Sequence, residues 1–320
     1  MTESELQSLA EEIVARMQVG TRQRASGHAR RPAGALARSV APVAAAAADI
    51  SDISWRGPNV QKAAWSPAQG ARRVADFVDH TLLKAEATSK EVVKLCAEAR
   101  QHRFAAVCVN AGWVELCVKQ LEGSEVAVAT VCGFPLGATT SRAKAAEAAE
   151  AVGIGASEVD MVIALGRVKG GDWAYVEDDI RSVVEASRRA IVKVIIESSA
   201  LTAEEIVKAS AIAKEAGAHF VKTSTGFHPT GGATAEAVRL MRLVVGDDLG
   251  VKASGGVREC STALAMIAAG ANRIGTSSGV AFVTCLGPGP LPLAELLKQP
   301  HAHATSCTSG ACQPAGGQPY

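Results

Sequence analysis

Four charged side chains sit inside β-rich runs, each beside an apolar neighbour. Asp160 lies in Glu158-Val159-Asp160-Met161-Val162-Ile163, Lys193 in Val192-Lys193-Val194-Ile195-Ile196-Glu197, Lys222 in Val221-Lys222-Thr223-Ser224-Thr225-Gly226, and Lys252 in Val251-Lys252-Ala253-Ser254-Gly255-Gly256. A parallel strand buried on both faces is almost wholly apolar, so a charge inside one needs a reason. Side chains alternate between strand faces, and the apolar neighbours of each charge point one way while the charge points the other, into the centre of a closed sheet. One acid and three amines then share a small volume, with a surplus of buried positive charge. An internal ion-pair network is the purely structural account, but an unused surplus is costly. Chemistry can use it. A lysine of ordinary pKa near 10.4 is neutral in only about one molecule in 10³ at pH 7, and the neutral amine is what attacks a carbonyl. A second ammonium within about 4–6 Å, together with burial, lowers that pKa. The resulting imine is an electron sink, and Asp160 with a lysine can move protons at the adjacent carbon. These are the requirements of aldol cleavage.

Glycines and small hydroxyl residues follow three of the same runs. Gly226 closes one, Ser254-Gly255-Gly256 the next, and Gly275-Thr276-Ser277-Ser278-Gly279 the last. Each glycine pair taken alone is only a tight turn. At the ends of three adjacent strands they let the backbone approach an anion, and barrels commonly bind phosphate through their last loops and a helix N-terminus.

The elements that must position these residues alternate regularly. Eight β-rich runs span 77–83, 105–110, 126–132, 158–164, 191–197, 219–225, 250–255 and 273–277. Amphipathic segments separate them at 89–102, 113–121, 141–152, 176–189, 203–216, 235–245 and 261–269. Thr140 and Thr202 can cap two of these, and Gly217, Gly246 and Gly270 can end three. Eight strand and helix units predict an α/β fold of the (β/α)₈ TIM-barrel type. A doubly wound open sheet usually has fewer strands and a Gly-rich dinucleotide turn after the first, which is missing after Leu83.

Composition narrows the class. Lys and Arg number 33 against 32 for Asp and Glu, so no chain-wide basic field exists for nucleic acid or an anionic membrane. No apolar run reaches membrane-spanning length, since 40–48 is short and broken by Pro42. The acidic start, with Glu3, Glu5, Glu11 and Glu12, is unlike a secretory signal. Cytoplasmic location is expected. Cys96, Cys108, Cys117, Cys132 and Cys260 sit in apolar or amphipathic segments, as buried free thiols do. Cys285 is the sixth cysteine. Cys307 and Cys312, with His301 and His303 upstream, lack the spacing of a zinc pair, and His80, His219 and His228 are spread over different elements. No metal and no cofactor are expected.

The order of motifs carries a family resemblance. Asp79-His80-Thr81-Leu82-Leu83-Lys84, Val107-Cys108-Val109-Asn110, Gly133-Phe134-Pro135-Leu136-Gly137, Glu158-Val159-Asp160-Met161-Val162, Lys193-Val194-Ile195-Ile196-Glu197, Lys222-Thr223-Ser224-Thr225-Gly226-Phe227 and Lys252-Ala253-Ser254-Gly255-Gly256-Val257-Arg258 resemble the deoxyribose-phosphate aldolase family, over about residues 74–285. The resemblance implies a class I aldolase on a TIM barrel that reversibly cleaves 2-deoxy-D-ribose 5-phosphate into acetaldehyde and D-glyceraldehyde 3-phosphate. It implies Lys222 as the Schiff-base lysine, Lys252 as the lysine that lowers its pKa, and Asp160 as the proton-relay acid. Asp79 and Thr81 match positions near the substrate hydroxyls, Lys193 a supporting lysine, and Gly226, Gly255, Gly256, Ser277 and Ser278 the phosphate pocket. Partners would be a phosphorylated sugar and aldehydes, with a homodimer allowed. A transaldolase-like enzyme acting on a longer ketose, and a barrel kept as a scaffold after its activity decayed, are the alternatives. The intact lysines and Asp160 speak against the second.

Outside residues 71–298, the expected barrel domain, the chain departs from the family. In residues 1–20, Leu6, Leu9, Ala10, Ile13, Val14 and Met17 follow helical spacing with Ser4 as a cap. Residues 21–70, with Gly27, Pro32, Gly34, Pro42 and an Ala run, form a linker. Such a helix on such a linker resembles the encapsulation peptides that load enzymes into bacterial microcompartments, which implies a shell or cargo partner. A frayed leader and a helix packed on the enzyme's own barrel are the alternatives. The tail, 299–320, ends in Tyr320; some family members end in a tyrosine that assists proton transfer, and an ordinary polar tail is equally compatible.

Overall fold

The computed structural model describes residues 72–188 and 190–292, together with residues 4, 5, 7, 8 and 10–12, which are helical. The calls on the remainder of residues 1–70 and on 299–320, Tyr320 included, lie outside the described residues.

Eight parallel strands close into one barrel in sequence order: β1 (Val78–Leu82), β2 (Ala106–Val109), β3 (Ala127–Cys132), β4 (Glu158–Val162), β5 (Ile191–Ile195), β6 (Phe220–Lys222), β7 (Gly250–Ser254) and β8 (Arg273–Thr276). Closure runs through β1 and β8, which place Asp79 opposite Gly275. Around the barrel lie α1 (Ser89–His102), α2 (Val114–Gln120), α3 (Ser141–Gly153), α4 (Leu165–Lys169), α5 (Trp173–Ala186), α6 (Ala203–Glu215), α7 (Ala235–Val245), α8 (Cys260–Ala268) and α9 (Gly279–Leu286). The fold is the expected (β/α)₈ barrel. Of the helices around the barrel, α4 and α9, with five and eight residues, lie outside the segments expected to be helical.

Local chemistry explains the helix ends. Thr202 accepts the Glu205 N–H at 3.2 Å while the Glu205 carboxylate accepts the Thr202 N–H at 2.8 Å, a reciprocal cap on α6. Thr140 accepts the Ala143 N–H at 3.2 Å and starts α3. Gly217 and Gly270 stand just past their helices at φ +85° and +109°, in the left-handed region that glycine enters freely.

Two apolar regions hold the barrel. A continuous outer core packs strands against helices, with Phe77, Ile180, Val238, Met241 and Phe282 fully buried, and Ala10 of the N-terminal helical stretch belongs to it at 4% exposure. A small inner cluster, Leu83, Ala106, Cys108, Ala129 and Val131, fills the β1–β3 side of the interior. Opposite it the interior is charged. Between the outer helices, Lys144 of α3 reaches Asp179 of α5 at 2.5 Å and the Val162 carbonyl at 2.9 Å, which anchors the end of β4. Among the described residues no helix is long and apolar enough to cross a membrane.

Candidate active site

Register brings the predicted residues together. Asp160 of β4 lies opposite Lys193 of β5, and Lys222 of β6 opposite Lys252 of β7, so all four face inward. Lys193 Nζ donates to Asp160 Oδ1 at 2.7 Å. Lys222 and Lys252 both donate to the other oxygen, Oδ2, at 2.8 and 2.7 Å. One carboxylate therefore holds three ammonium groups, and two of them share a single oxygen. Gly275 on β8 makes this possible, because a Cβ there would stand 3.0 Å from Lys252 Cε.

The three lysines differ in what else they touch. Lys252 also meets Asp79 Oδ2 at 2.6 Å, and Lys193 also meets Glu158 at 2.6 Å. Lys222 has Asp160 alone among the described carboxylates. Burial pulls the pKa of Lys222 below the usual lysine value and the Lys252 charge adds to this, against the opposing pull of Asp160. Burial acts on Lys252 and Lys193 in the same direction, but the carboxylates around them, Asp160 and Asp79 for Lys252 and Asp160, Glu158 and Asp79 for Lys193, outweigh it and hold both above the usual value. For Asp160 burial alone would raise the pKa, and the ammonium charges of Lys193, Lys222 and Lys252 drive it well down instead. The site thus sets one amine shifted toward its neutral form beside one shifted toward its charged form.

The charge count differs from the sequence expectation of one acid and three amines. Asp79, Glu158 and Asp160 face Lys193, Lys222, Lys252 and Arg273, so the described interior carries three carboxylates and four cations. Arg273 of β8 binds Glu158 at 2.7 Å and also Asp79, and all of these are buried. Glu158 stands two residues before Asp160 on the same strand face, which is the period-two signal that could have revealed it. Arg273 opens its strand next to a loop, where a charge draws no notice. Asp79 is buried with its oxygens on Lys252 and Arg273, and Thr81, also buried, donates its hydroxyl to the Asp79 carbonyl at 2.8 Å.

The predicted anion-binding residues gather at the C-terminal mouth. Gly226, Gly255 and Gly256 have φ of +85°, +82° and +77°. The Gly255 carbonyl accepts the Ala233 N–H at 3.0 Å, and a Cβ on Gly232 would come within 2.1 Å of that carbonyl, so the loop after β6 lies directly on the turn after β7. Ser277 is exposed and Ser278 half-buried, just before α9. Two of the histidines stand apart from this mouth, His80 pairing with Glu98 at 2.8 Å and His219 accepting the Val192 N–H at 3.0 Å and pushed down to about 4 by burial and by Lys193, while His228 lies in the loop after β6 against the Thr230 hydroxyl at 2.6 Å.

A barrel with a carboxylate-bridged lysine cluster facing a glycine-lined mouth defines an aldolase type of site, and residues 73–283 match the family model described as DeoC/LacD family aldolase; the chain belongs to this family. Among its relatives is the deoxyribose-phosphate aldolase of Streptococcus uberis, 54% identical over 211 residues that cover 66% of this chain and 96% of the relative. That of Thermotoga petrophila is 56% identical over 214 residues, 67% of this chain and 86% of the relative. The tetrameric deoxyribose phosphate aldolase of Aeropyrum pernix superposes with a TM-score of 0.61 at 31% identity, covering 73% of this chain and 96% of that one.

Proposed function

We propose that this aldolase reversibly cleaves 2-deoxy-D-ribose 5-phosphate into D-glyceraldehyde 3-phosphate and acetaldehyde through an imine on Lys222. The observation that carries the proposal is the shared oxygen: Lys222 and Lys252 both contact Asp160 Oδ2, and only Lys222 is lowered. The neutral amine adds to the C1 aldehyde and water leaves, giving a protonated imine. Loss of the proton from the C3 hydroxyl breaks the C2–C3 bond, and its electrons flow into the imine as glyceraldehyde 3-phosphate departs. Protonation of the enamine at C2 and hydrolysis then release acetaldehyde and restore the amine. Asp160, within hydrogen-bond distance of both ammonium groups, is placed to relay these protons. Lys252, held charged by Asp79 and Asp160, keeps the Lys222 amine acidic. Gly226, Gly255, Gly256, Ser277 and Ser278 supply backbone and hydroxyl donors for the phosphate at the mouth.

Borohydride reduction in acetaldehyde tests this directly: Lys222 should gain the mass of one ethyl group, and peptide mapping that finds the adduct elsewhere rejects the assignment. Comparison of deoxyribose 5-phosphate with ketose phosphates separates this reaction from a transaldolase-like one. For residues 1–20, the burial of Ala10 in the outer core favours a helix seated on the enzyme's own barrel over one offered to a microcompartment shell. A fluorescent protein fused to residues 1–20 that gathers in shells would reverse that preference.

A further inference from the structure

Glu197 ends the run after β5 in a backbone conformation that side chains avoid. Its φ and ψ are both 56°, the left-handed region where glycine is the residue of least strain. It is 2% exposed, and among the described residues no ammonium or guanidinium lies within salt-bridge distance of it. Its carboxylate is used wholly on one residue. The Thr225 hydroxyl donates to Oε2 at 2.6 Å, and the Thr225 N–H points to Oε1 and Oε2 at 3.2 and 3.3 Å. Because that hydroxyl proton is committed to the carboxylate, the Thr225 oxygen is free to accept, and it takes the Phe227 N–H at 3.1 Å. Of the three amides in the turn 225–227, those of Thr225 and Phe227 are thereby engaged, and that of Gly226 has no acceptor among the described residues.

The neighbouring residues hold the same turn from the same side. Ser198 N–H donates to the Thr223 carbonyl at 2.8 Å, and the Ser199 hydroxyl contacts the Thr230 hydroxyl at 2.9 Å and the Gly231 carbonyl at 3.1 Å. Phe227 in turn packs edge-on against Phe134 of the loop after β3, with ring centroids 5.2 Å apart. We infer that Glu197 is a positioning residue that sets the turn after the Lys222 strand, so that the Gly226 amide is presented to the substrate's phosphate. It acts through Thr225 and touches neither the reacting carbon nor the lysine. The inference rests on the proposed phosphate-sugar reaction and names a residue that controls its specificity.

The test compares the cleavage of 2-deoxyribose 5-phosphate and of unphosphorylated 2-deoxyribose by the full-length chain. In Glu197→Gln an amide N–H₂ faces the Thr225 N–H, so the two donors repel. In Glu197→Gly the strained backbone relaxes while the carboxylate is lost. For both, the ratio of kcat/KM between phosphorylated and unphosphorylated sugar should fall about tenfold or more, chiefly through KM on the phosphorylated sugar, with ethyl trapping at Lys222 retained. Thr225→Val should reproduce the drop, and combining it with Glu197→Gln should add little, because both remove one linkage. An unchanged ratio in Glu197→Gly, or equal losses on the two sugars, overturns the positioning role. Should Glu197→Gln fail to fold, Glu197→Gly and Thr225→Val decide. A wild-type chain that does not prefer the phosphorylated sugar would instead overturn the proposed substrate, an outcome read before any variant is made.

Discussion

The two sides of the barrel interior are built from opposite materials. On β2 and β3 the inward residues are Ala106, Cys108, Ala127, Ala129 and Val131, short and uncharged, whereas β4 to β8 present Glu158, Asp160, Lys193, Lys222, Lys252 and Arg273. Small residues on one side leave the volume that long side chains fill from the other. Within the charged side, crowding alone does not make a lysine reactive. Lys193 and Lys252 are as buried as Lys222, yet each has at least two carboxylate partners and is shifted toward its charged form. Lys222 shares one carboxylate oxygen with a second cation, and desolvation wins. The partner count, set against a similar burial cost, separates Lys222, the nucleophile of the proposed mechanism, from the other two lysines.

Four perturbations test this contrast, ordered by their expected effect on activity. Lys222→Arg keeps the positive charge but replaces the amine by a guanidinium that stays protonated, so cleavage should fall by at least about 10³-fold and the ethyl adduct should vanish. Residual turnover of even a few per cent of wild type would mean that another amine forms the imine. Asp160→Asn removes the common acceptor. We expect kcat to drop by about 10²-fold or more with a smaller change in KM, checked on protein whose melting curve shows that it is folded. A change confined to KM would make Asp160 a binding group only.

Lys252→Leu is expected to act through pH. In the proposed mechanism the reactive species is the neutral Lys222 amine, and its lowered pKa increases that fraction at neutral pH. Removing the neighbouring charge lets the pKa climb, so the rising limb of the rate profile should move to higher pH, about tenfold in rate at pH 7 for each unit moved. An unmoved limb would assign the lowering to burial alone. The smallest effect on activity belongs to the apolar side. Ala129→Leu overfills the space beside Glu158 and should lower stability by about 1–3 kcal/mol in denaturant unfolding, with Lys222 still trapped by acetaldehyde. Unchanged stability would show that the small residues there do not set the volume.

Much of this molecule is legible from the chain because parallel barrel strands are buried on both faces and read as unbroken apolar runs. The β-rich runs at 126–132, 158–164 and 191–197 are close to this pattern, those at 77–83 and 273–277 were legible from their alternation with helical segments, and 89–102 and 235–245 coincide with α1 and α7. A charge inside such a run stands out, which is why Asp160, Lys193, Lys222 and Lys252 could be singled out. Arg273 opens its strand beside a polar loop, where a charge needs no explanation, and Glu197 lies just beyond a strand end; Glu158, by contrast, carries a signal in its two-residue spacing from Asp160. The importance of Arg273 and Glu197 shows only in their partners.

The sequence by itself determined the element order, the inward placement of four charges by strand alternation, and the clustering of glycines after β6, β7 and β8. These are local properties, governed by side-chain period and backbone sterics over a few residues. The motif resemblance pointed to Lys222, but the physical reason that it, and neither Lys193 nor Lys252, is shifted toward the weaker base lies only in the tertiary structure. That depends on barrel closure, which brings Asp79 to Arg273 across 194 residues and Lys252 to Asp160 across 92, and on register that puts two ammonium groups on one oxygen. Electrostatic energy in a buried site varies with distances of a few ångströms between groups far apart in the chain, and no local pattern encodes those distances.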